Sequence, residues 1–203
     1  MAKINYQILC DKQLAEIKDK EYVPKLMLHS CCGPCSTYVL ECLSEYFKIE
    51  LFYYNPNIFP EDEYKKRLIT QEKVINSMKL KNPVKLLALT YNHDDFLSNI
   101  IGFEKEREGG ARCEKCFRLR LEKTAREAKK QGCDYFTTTL SVSPHKNSQI
   151  LNEIGCDISD KYDVPYLFSD FKKREGYKRS IQISEELGLY RQVYCGCEFS
   201  LDK

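Results

Sequence analysis

Lys25-Leu-Met-Leu-His29 runs directly into Ser30-Cys-Cys-Gly-Pro-Cys35 and then into Ser36-Thr-Tyr-Val-Leu-Glu-Cys-Leu43. The first five residues form a short apolar run of the length of a buried strand, and the last eight begin a helical pattern. Working outward, Ile49–Tyr54, Val84–Leu89, Tyr135–Leu140 and Pro165–Phe168 read as four further strands. Between them, apolar residues recur at spacings of three and four. Val39, Cys42, Leu43, Tyr46 and Phe47 form one stripe, and Tyr64, Leu68, Gln71, Ile75 and Met78 form a second after Pro60–Glu61. Phe117, Leu121, Ala125 and Ala128 form a third, closed by Gly132. Strands alternating with helices need crossover connections, so the expected fold is α/β with a doubly wound, mainly parallel, five-stranded sheet. Residues 1–24 read as an N-terminal helical extension and 25–203 as one α/β domain. Its tail after Gly188 returns toward the domain as a cysteine-containing segment.

Of 203 residues, 42% are hydrophobic and 31% charged, the balance of a globular chain long enough to build its own core. No apolar run approaches the roughly 20 residues of a membrane span. The first 20 residues carry acids and fit neither a signal nor a transit peptide, so the expected location is cytoplasmic, away from membranes. Eleven cysteines are the outlier. In a reducing compartment so many thiols point to metal or redox chemistry instead of disulfides.

Seven of the eleven fall in three groups: Cys31, Cys32 and Cys35; Cys113 and Cys116; Cys195 and Cys197. Cys10, Cys42, Cys133 and Cys156 are isolated and read as packing residues. Packing has no need of a Cys-x-x-Cys step. Gly33, Pro34 and Gly196 let the backbone turn tightly enough for neighbouring sulfurs to converge, and a helix N-terminus favours the thiolate that binds metal. In an open α/β sheet the functional crevice lies beyond the carboxyl ends of the strands. The Cys31–Cys35 loop leaves the first strand at that end. The helix opened by Cys113 leads into the fourth strand, so its start belongs at the same edge. Adjacent Cys31–Cys32 and a total of seven thiols favour an iron–sulfur site; zinc and a thiol relay are the alternatives.

Other polar groups belong near this edge. The loop Thr137-Thr-Thr-Leu-Ser-Val-Ser-Pro-His-Lys-Asn147 carries Ser143, His145 and Lys146, able to bind phosphate or a polar substrate or simply to cap a helix. Tyr53-Tyr-Asn-Pro-Asn57 offers Tyr54, Asn55 and Asn57 for stacking and pairing with a base, or is a turn. Net charge is only +2, but residues 112–130 carry a net +5 and residues 172–191 a net +3. Arg112, Lys172, Lys173 and Arg174 are thereby candidates to follow a phosphate backbone; a solvated helix face is the plainer reading. Neither Gly-x-Gly-x-x-Gly nor a Walker A sequence is present.

Taken together, His29-Ser-Cys-Cys-Gly-Pro-Cys35, Tyr54-Asn-Pro-Asn57 with Glu63-Tyr64 and Arg67, Glu108-Gly-Gly-Ala-Arg-Cys-Glu-Lys-Cys-Phe-Arg-Leu-Arg120, Thr137–Asn147 and Tyr190-Arg-Gln-Val-Tyr-Cys-Gly-Cys197 resemble the QueH family of epoxyqueuosine reductases. The resemblance runs from about Lys25 to Ser200 and leaves residues 1–24 outside. It implies a HUP-type fold related to adenine-nucleotide α-hydrolases. It also implies a [4Fe–4S] cluster beside a second, mononuclear iron, without cobalamin. The implied substrate is tRNA carrying epoxyqueuosine at the wobble position, deoxygenated to queuosine in the last step of its synthesis. An external one-electron donor of ferredoxin or flavodoxin type is then required.

On that resemblance, Cys31, Cys32, Cys113 and Cys116 are expected to hold the cluster, and Cys35, Cys195 and Cys197 the second iron. His145, Lys146 or a tyrosine supplies a proton, and the basic segments with Tyr54, Asn55, Asn57 and Ser143 hold the anticodon loop. The competing expectation is a zinc-stabilised nucleic-acid-binding module without catalysis.

Overall fold

The computed structural model describes residues 4–200. Among them the sheet has four strands, all parallel, in the order β3-β2-β1-β4: β1 Lys25–His29, β2 Lys48–Tyr53, β3 Val84–Ala88 and β4 Tyr135–Thr138. The helices are α1 Tyr6–Lys18, α2 Gly33–Leu43, α3 Glu61–Ser77, α4 Asp94–Asn99, α5 Ala111–Lys130, α6 Ser148–Tyr162 and α7 Gly176–Glu186. Successive side chains of β1 point to opposite faces. Leu26 and Leu28 join Val39, Leu40, Leu43 and Ile17 in one core, while Met27 joins Phe117, Leu121, Ala125 and Phe136 in the other. Both faces of the sheet are therefore covered, as a doubly wound arrangement requires.

The expected fifth strand is a correction. Pro165–Phe168 meets the sheet at one bridge, Phe136 to Tyr166, and forms no ladder. Pro165 has no N–H to give. The outer edge of the segment is taken by a side chain of α1: the Gln13 amide donates to the Tyr166 carbonyl at 3.0 Å and accepts from the Phe168 N–H at 2.8 Å. The Thr137 hydroxyl donates to the Leu167 carbonyl at 2.8 Å. Side chains thus satisfy backbone groups that a neighbouring strand would otherwise pair. β4 is also shorter than expected, because Thr139–Val142 winds into a 3-10 turn.

Strand order reverses at β1, whose successors run to β2 and β3 on one side and whose other neighbour is β4. The crevice between the carboxyl ends of β1 and β4 is the switch point where such sheets bind ligands. His29 closes its floor. Its Nε2–H donates to the Tyr54 carbonyl at 3.2 Å, and its Nδ1 accepts from the Thr138 hydroxyl at 2.9 Å. Burial pushes its pKa down to about 3, so the ring is neutral and ties the ends of three strands together.

On the far side of β4, α6 approaches Tyr166 so closely that a Cβ on Gly155 would sit 2.5 Å from the ring. That ring is boxed in by Phe136 and Phe168. Gly155→Ala is expected to cost about 1–3 kcal/mol in overpacking, only partly offset by about 1 kcal/mol of helix propensity. The expected readout is a lower urea midpoint with an unchanged slope.

Candidate metal centre

Cys31 and Cys32 lie between the end of β1 and the start of α2, and Cys35 lies in the first turn of α2. The three Sγ atoms lie within 4.8 Å of one another, with Cys31 and Cys32 3.9 Å apart. Hydrogen bonds from the Cys32 and Cys35 thiols hold the Cys31 pKa well below the ordinary thiol value, and Lys146 adds to the effect. The same coupling drives Cys35 well up and Cys32 up to about 12. The Thr139 hydroxyl, from the end of β4, accepts from the Cys31 N–H at 3.3 Å and donates to its Sγ at 3.6 Å. The trio thus sits at the switch point.

Cys113 and Cys116 occupy the opening turns of α5, where the Gly109 N–H donates to Cys113 Sγ at 3.2 Å. Cys116 is buried, which pushes its pKa up to about 11 against the pull of Arg120. Cys195 and Cys197 come from the returning tail, with burial pushing Cys197 up to about 12. Two cations join the groups, Arg120 buried and Lys146 half-buried. Arg120 loses hydration but is held charged by Cys116, Cys195, Cys31 and Cys113. Lys146 is likewise opposed by burial, yet Cys195, Cys31 and Cys35 outweigh it and keep its ammonium charged. Arg120 and Lys146 thus interact with thiols of all three cysteine groups, while among the described residues Cys31, Cys32 and Cys35 are the group that closes to within 4.8 Å. Cys10 and Cys133 are core residues and Cys42 and Cys156 are half-buried, with every one of the four thiols raised by burial.

The tail is fastened by residues whose importance local pattern does not show. Arg67, 2% exposed, donates from Nε to Glu63 at 2.7 Å and from its terminal nitrogens to the carbonyls of Cys195 and Tyr194 at 3.1 and 3.4 Å. The Phe59 N–H donates to the Gly196 carbonyl at 2.8 Å. Gly196 has φ +103°, and a Cβ there would lie 2.8 Å from the Arg67 guanidinium. His93 bridges the Pro56 carbonyl and the Glu198 carboxylate at 2.7 and 2.8 Å. The Gln192 amide donates to Cys32 Sγ at 2.9 Å and so joins tail and trio directly.

The remaining expected residues divide. His145 is exposed and Lys146 half-buried, both beside the centre's rim. Ser143 is buried and its hydroxyl accepts from the His145 N–H at 3.4 Å, which is a capping role. Tyr54, Asn55 and Asn57 are all buried. The Tyr54 hydroxyl donates to Asp95 and the Asn55 amide to the Ser30 carbonyl, leaving no ring face open for a base. Asn55 and Asn57 each retain an unpartnered amide oxygen. Arg112 is buried too, donating to the Glu104 carbonyl at 2.6 Å and lying over the Phe199 ring. The +5 segment is only partly surface: Arg112 and Arg120 are internal, Arg118, Arg126 and Lys130 are exposed but paired with Asp157, Glu122 and Glu127, and Lys129 is exposed. In the second segment Arg174 pairs with Asp11 and Lys172 with Asp170, while Lys173 is exposed.

A parallel α/β sheet whose switch point holds a compact cysteine trio, with further thiols on α5 and the tail sharing the Arg120 counter-charge, has the donor set of a polythiolate metal site. Residues 26–203 match the family model of epoxyqueuosine reductase QueH. Curated relatives named epoxyqueuosine reductase QueH come from Streptococcus pyogenes, 43% identical over 98% of this chain and 78% of the relative, and Staphylococcus epidermidis, 42% identical over 99% and 86%. A relative of the same name from Thermotoga maritima is 38% identical over 87% of this chain and 90% of its own. This chain belongs to the QueH family. A solved structure of the U34-tRNA thiolase NcsA from Methanococcus maripaludis, with its [4Fe-4S] cluster, superposes with TM-score 0.56 at 14% identity, covering 96% of this chain and 68% of that one. It shares the fold. Among the described residues, no helix is long and apolar enough to cross a membrane.

Proposed function

We infer that this chain reduces epoxyqueuosine in tRNA to queuosine, using its grouped thiols to hold a [4Fe–4S] cluster and a second iron on a HUP-type fold, without cobalamin. The approach of Cys31, Cys32 and Cys35 at the switch point carries this reading, with Cys113, Cys116 and Cys195 sharing the Arg120 counter-charge and Cys197 packed in one cluster with Cys116. A soft, all-thiolate donor set suits iron–sulfur chemistry. Seven thiols match a four-thiolate cluster plus a three-thiolate ion with an open position.

Dividing the seven by chain position puts Cys31, Cys32, Cys113 and Cys116 on the cluster and Cys35, Cys195 and Cys197 on the iron. The compact trio favours a different division. Two thiolates about 2.3 Å from one tetrahedral ion lie about 3.8 Å apart, close to the 3.9 Å between Cys31 and Cys32. Accordingly, Cys31, Cys32 and Cys35 would hold the single iron and Cys113, Cys116, Cys195 and Cys197 the cluster.

When bound, the irons supply single electrons and a Lewis acid for the epoxide oxygen. Conversion of the epoxide to an alkene consumes two electrons and two protons and releases the oxygen as water. An external one-electron donor, of ferredoxin or flavodoxin type, must supply the electrons. We assign the proton supply to Lys146, whose ammonium Cys195, Cys31 and Cys35 keep charged against burial, together with His145, exposed beside it in the chain. Arg120 holds its positive charge against the thiolates from below, which lowers the cost of gathering them.

Anaerobic incubation of the iron-loaded protein with epoxyqueuosine-containing tRNA and a reductant tests the reading. After digestion, the modified nucleoside should lose one oxygen. Colourless protein holding zinc without sulfide, or an unchanged nucleoside mass, would overturn it.

A further inference from the structure

Next to the centre, between the start of α6, the segment before α7 and the beginning of α1, lies a cavity of about 550 Å³. Its size falls within the roughly 300–1,000 Å³ of small-molecule sites. His145, Lys146, Lys172 and Lys173 line it, and Asp170 is the sole acid among the described lining residues. Asp170 is buried and committed to Lys172 at 2.7 Å, so the cavity presents net positive charge. Asn5, the residue that caps α1, forms part of the wall. It is held there because the Gln149 side chain of α6 donates to the Ile4 carbonyl at 2.7 Å.

Lys146 lines the cavity, and the segment that carries it follows the Thr139–Val142 turn, where the Thr139 hydroxyl accepts from the Cys31 N–H at 3.3 Å. Cavity and cysteine trio therefore flank one short stretch of chain. We propose that this cavity receives a backbone phosphate of the tRNA loop next to the nucleotide being reduced, and that α1 completes the site by supplying Asn5. The proposal rests on the reading that the chain acts on tRNA and names where the backbone is gripped. A concave, nucleotide-sized, positively charged space adjoining the reaction centre suits a phosphate with a nucleoside attached. An acidic protein donor would ask for a broader, flatter face.

Full-length, iron-loaded protein and fluorescently labelled tRNA, with and without epoxyqueuosine, provide the test through binding measured across a salt series. Asn5→Asp keeps a good helix cap while placing a negative charge in the wall. Lys173→Gln removes one cation. Each should weaken tRNA affinity about threefold to tenfold, and Lys173→Gln should flatten the dependence of log affinity on log salt by about one unit. Lys85→Gln, exposed on β3 and outside both the cavity and the two basic segments, should change neither. Inorganic phosphate at millimolar concentration should compete with tRNA on the unaltered protein and less on the variants. Unchanged tRNA affinity and salt slope in both variants would overturn the proposal. So would altered phosphate competition with unaltered tRNA binding, which marks a free-phosphate site, or slower reduction by a protein donor alone, which marks a donor surface. Oxygen loss from the nucleoside is scored separately. A chain that binds tRNA through the cavity but leaves the nucleoside intact would defeat the functional reading and not this one.

Discussion

Replacing Cys197 with alanine should give a nearly colourless protein about four irons short, whereas replacing Cys32 should leave the brown chromophore and remove about one iron. Both should lose turnover by more than about a hundredfold, beyond the 10–100-fold typical of residues that only support a ligand. The contrast follows from the trio. Cys31, Cys32 and Cys35 close within 4.8 Å at the end of β1, while Cys197 packs with Cys116 under Phe96, Ile100 and Phe199. Neither substitution removes a large part of the two apolar cores, so far-UV circular dichroism should be unchanged. Iron and sulfide assays with absorption near about 400 nm read the outcome. The reverse pattern, with Cys32→Ala colourless and Cys197→Ala brown, would restore the division by chain position.

How far the sequence announces this centre depends on how local each signal is. The strand, thiol loop and helix from Lys25 to Leu43 are legible because their apolar run, turn residues and helical period are contiguous. The place of the thiol loop at the switch point is legible because crossover topology puts functional loops at the carboxyl ends of the strands. The fifth strand misleads because Pro165–Phe168 has a strand's composition, while the group that closes its edge, Gln13, comes from the opposite end of the chain. Tyr54 and Arg112 mislead for a related reason. Aromatic and basic side chains suit nucleic acid equally well as a core, and only burial beside Asp95 or Phe199 separates the two. His93 carries no local signal at all, since its partner Glu198 lies more than a hundred residues away. Arg67 enters the sequence reading only through the family resemblance. Its spacing of four from Glu63 suggests a helix-surface ion pair, and nothing nearby shows that the pair is roofed by the tail.

That roof makes Arg67→Ala the second large effect. The guanidinium satisfies Glu63 and the carbonyls of Cys195 and Tyr194 at once, and lies 5.0 Å over the Tyr194 ring. Deleting it leaves Glu63, among the described residues, with the Tyr190 hydroxyl at 3.0–3.1 Å, and strips a donor from both carbonyls. If the tail stayed in place, breaking this buried pair would cost about 3–5 kcal/mol. Letting the tail lift so that water reaches those groups costs less, so the variant should take that route. Loss of the tail from the surface has two measurable consequences. Cleavage near Val193, already 98% exposed, should become rapid under limited proteolysis, and iron held through Cys195 and Cys197 should fall with turnover. Arg67→Lys should recover part of the stability but not the iron, because an ammonium cannot span Glu63 and two carbonyls with the geometry of a planar fork. A variant at Arg67 that resists protease and keeps its iron would show that the tail is held by Phe59, His93 and Gln192 without help. The clasp would then be redundant, and Glu63–Arg67 would count only as one ion pair of α3.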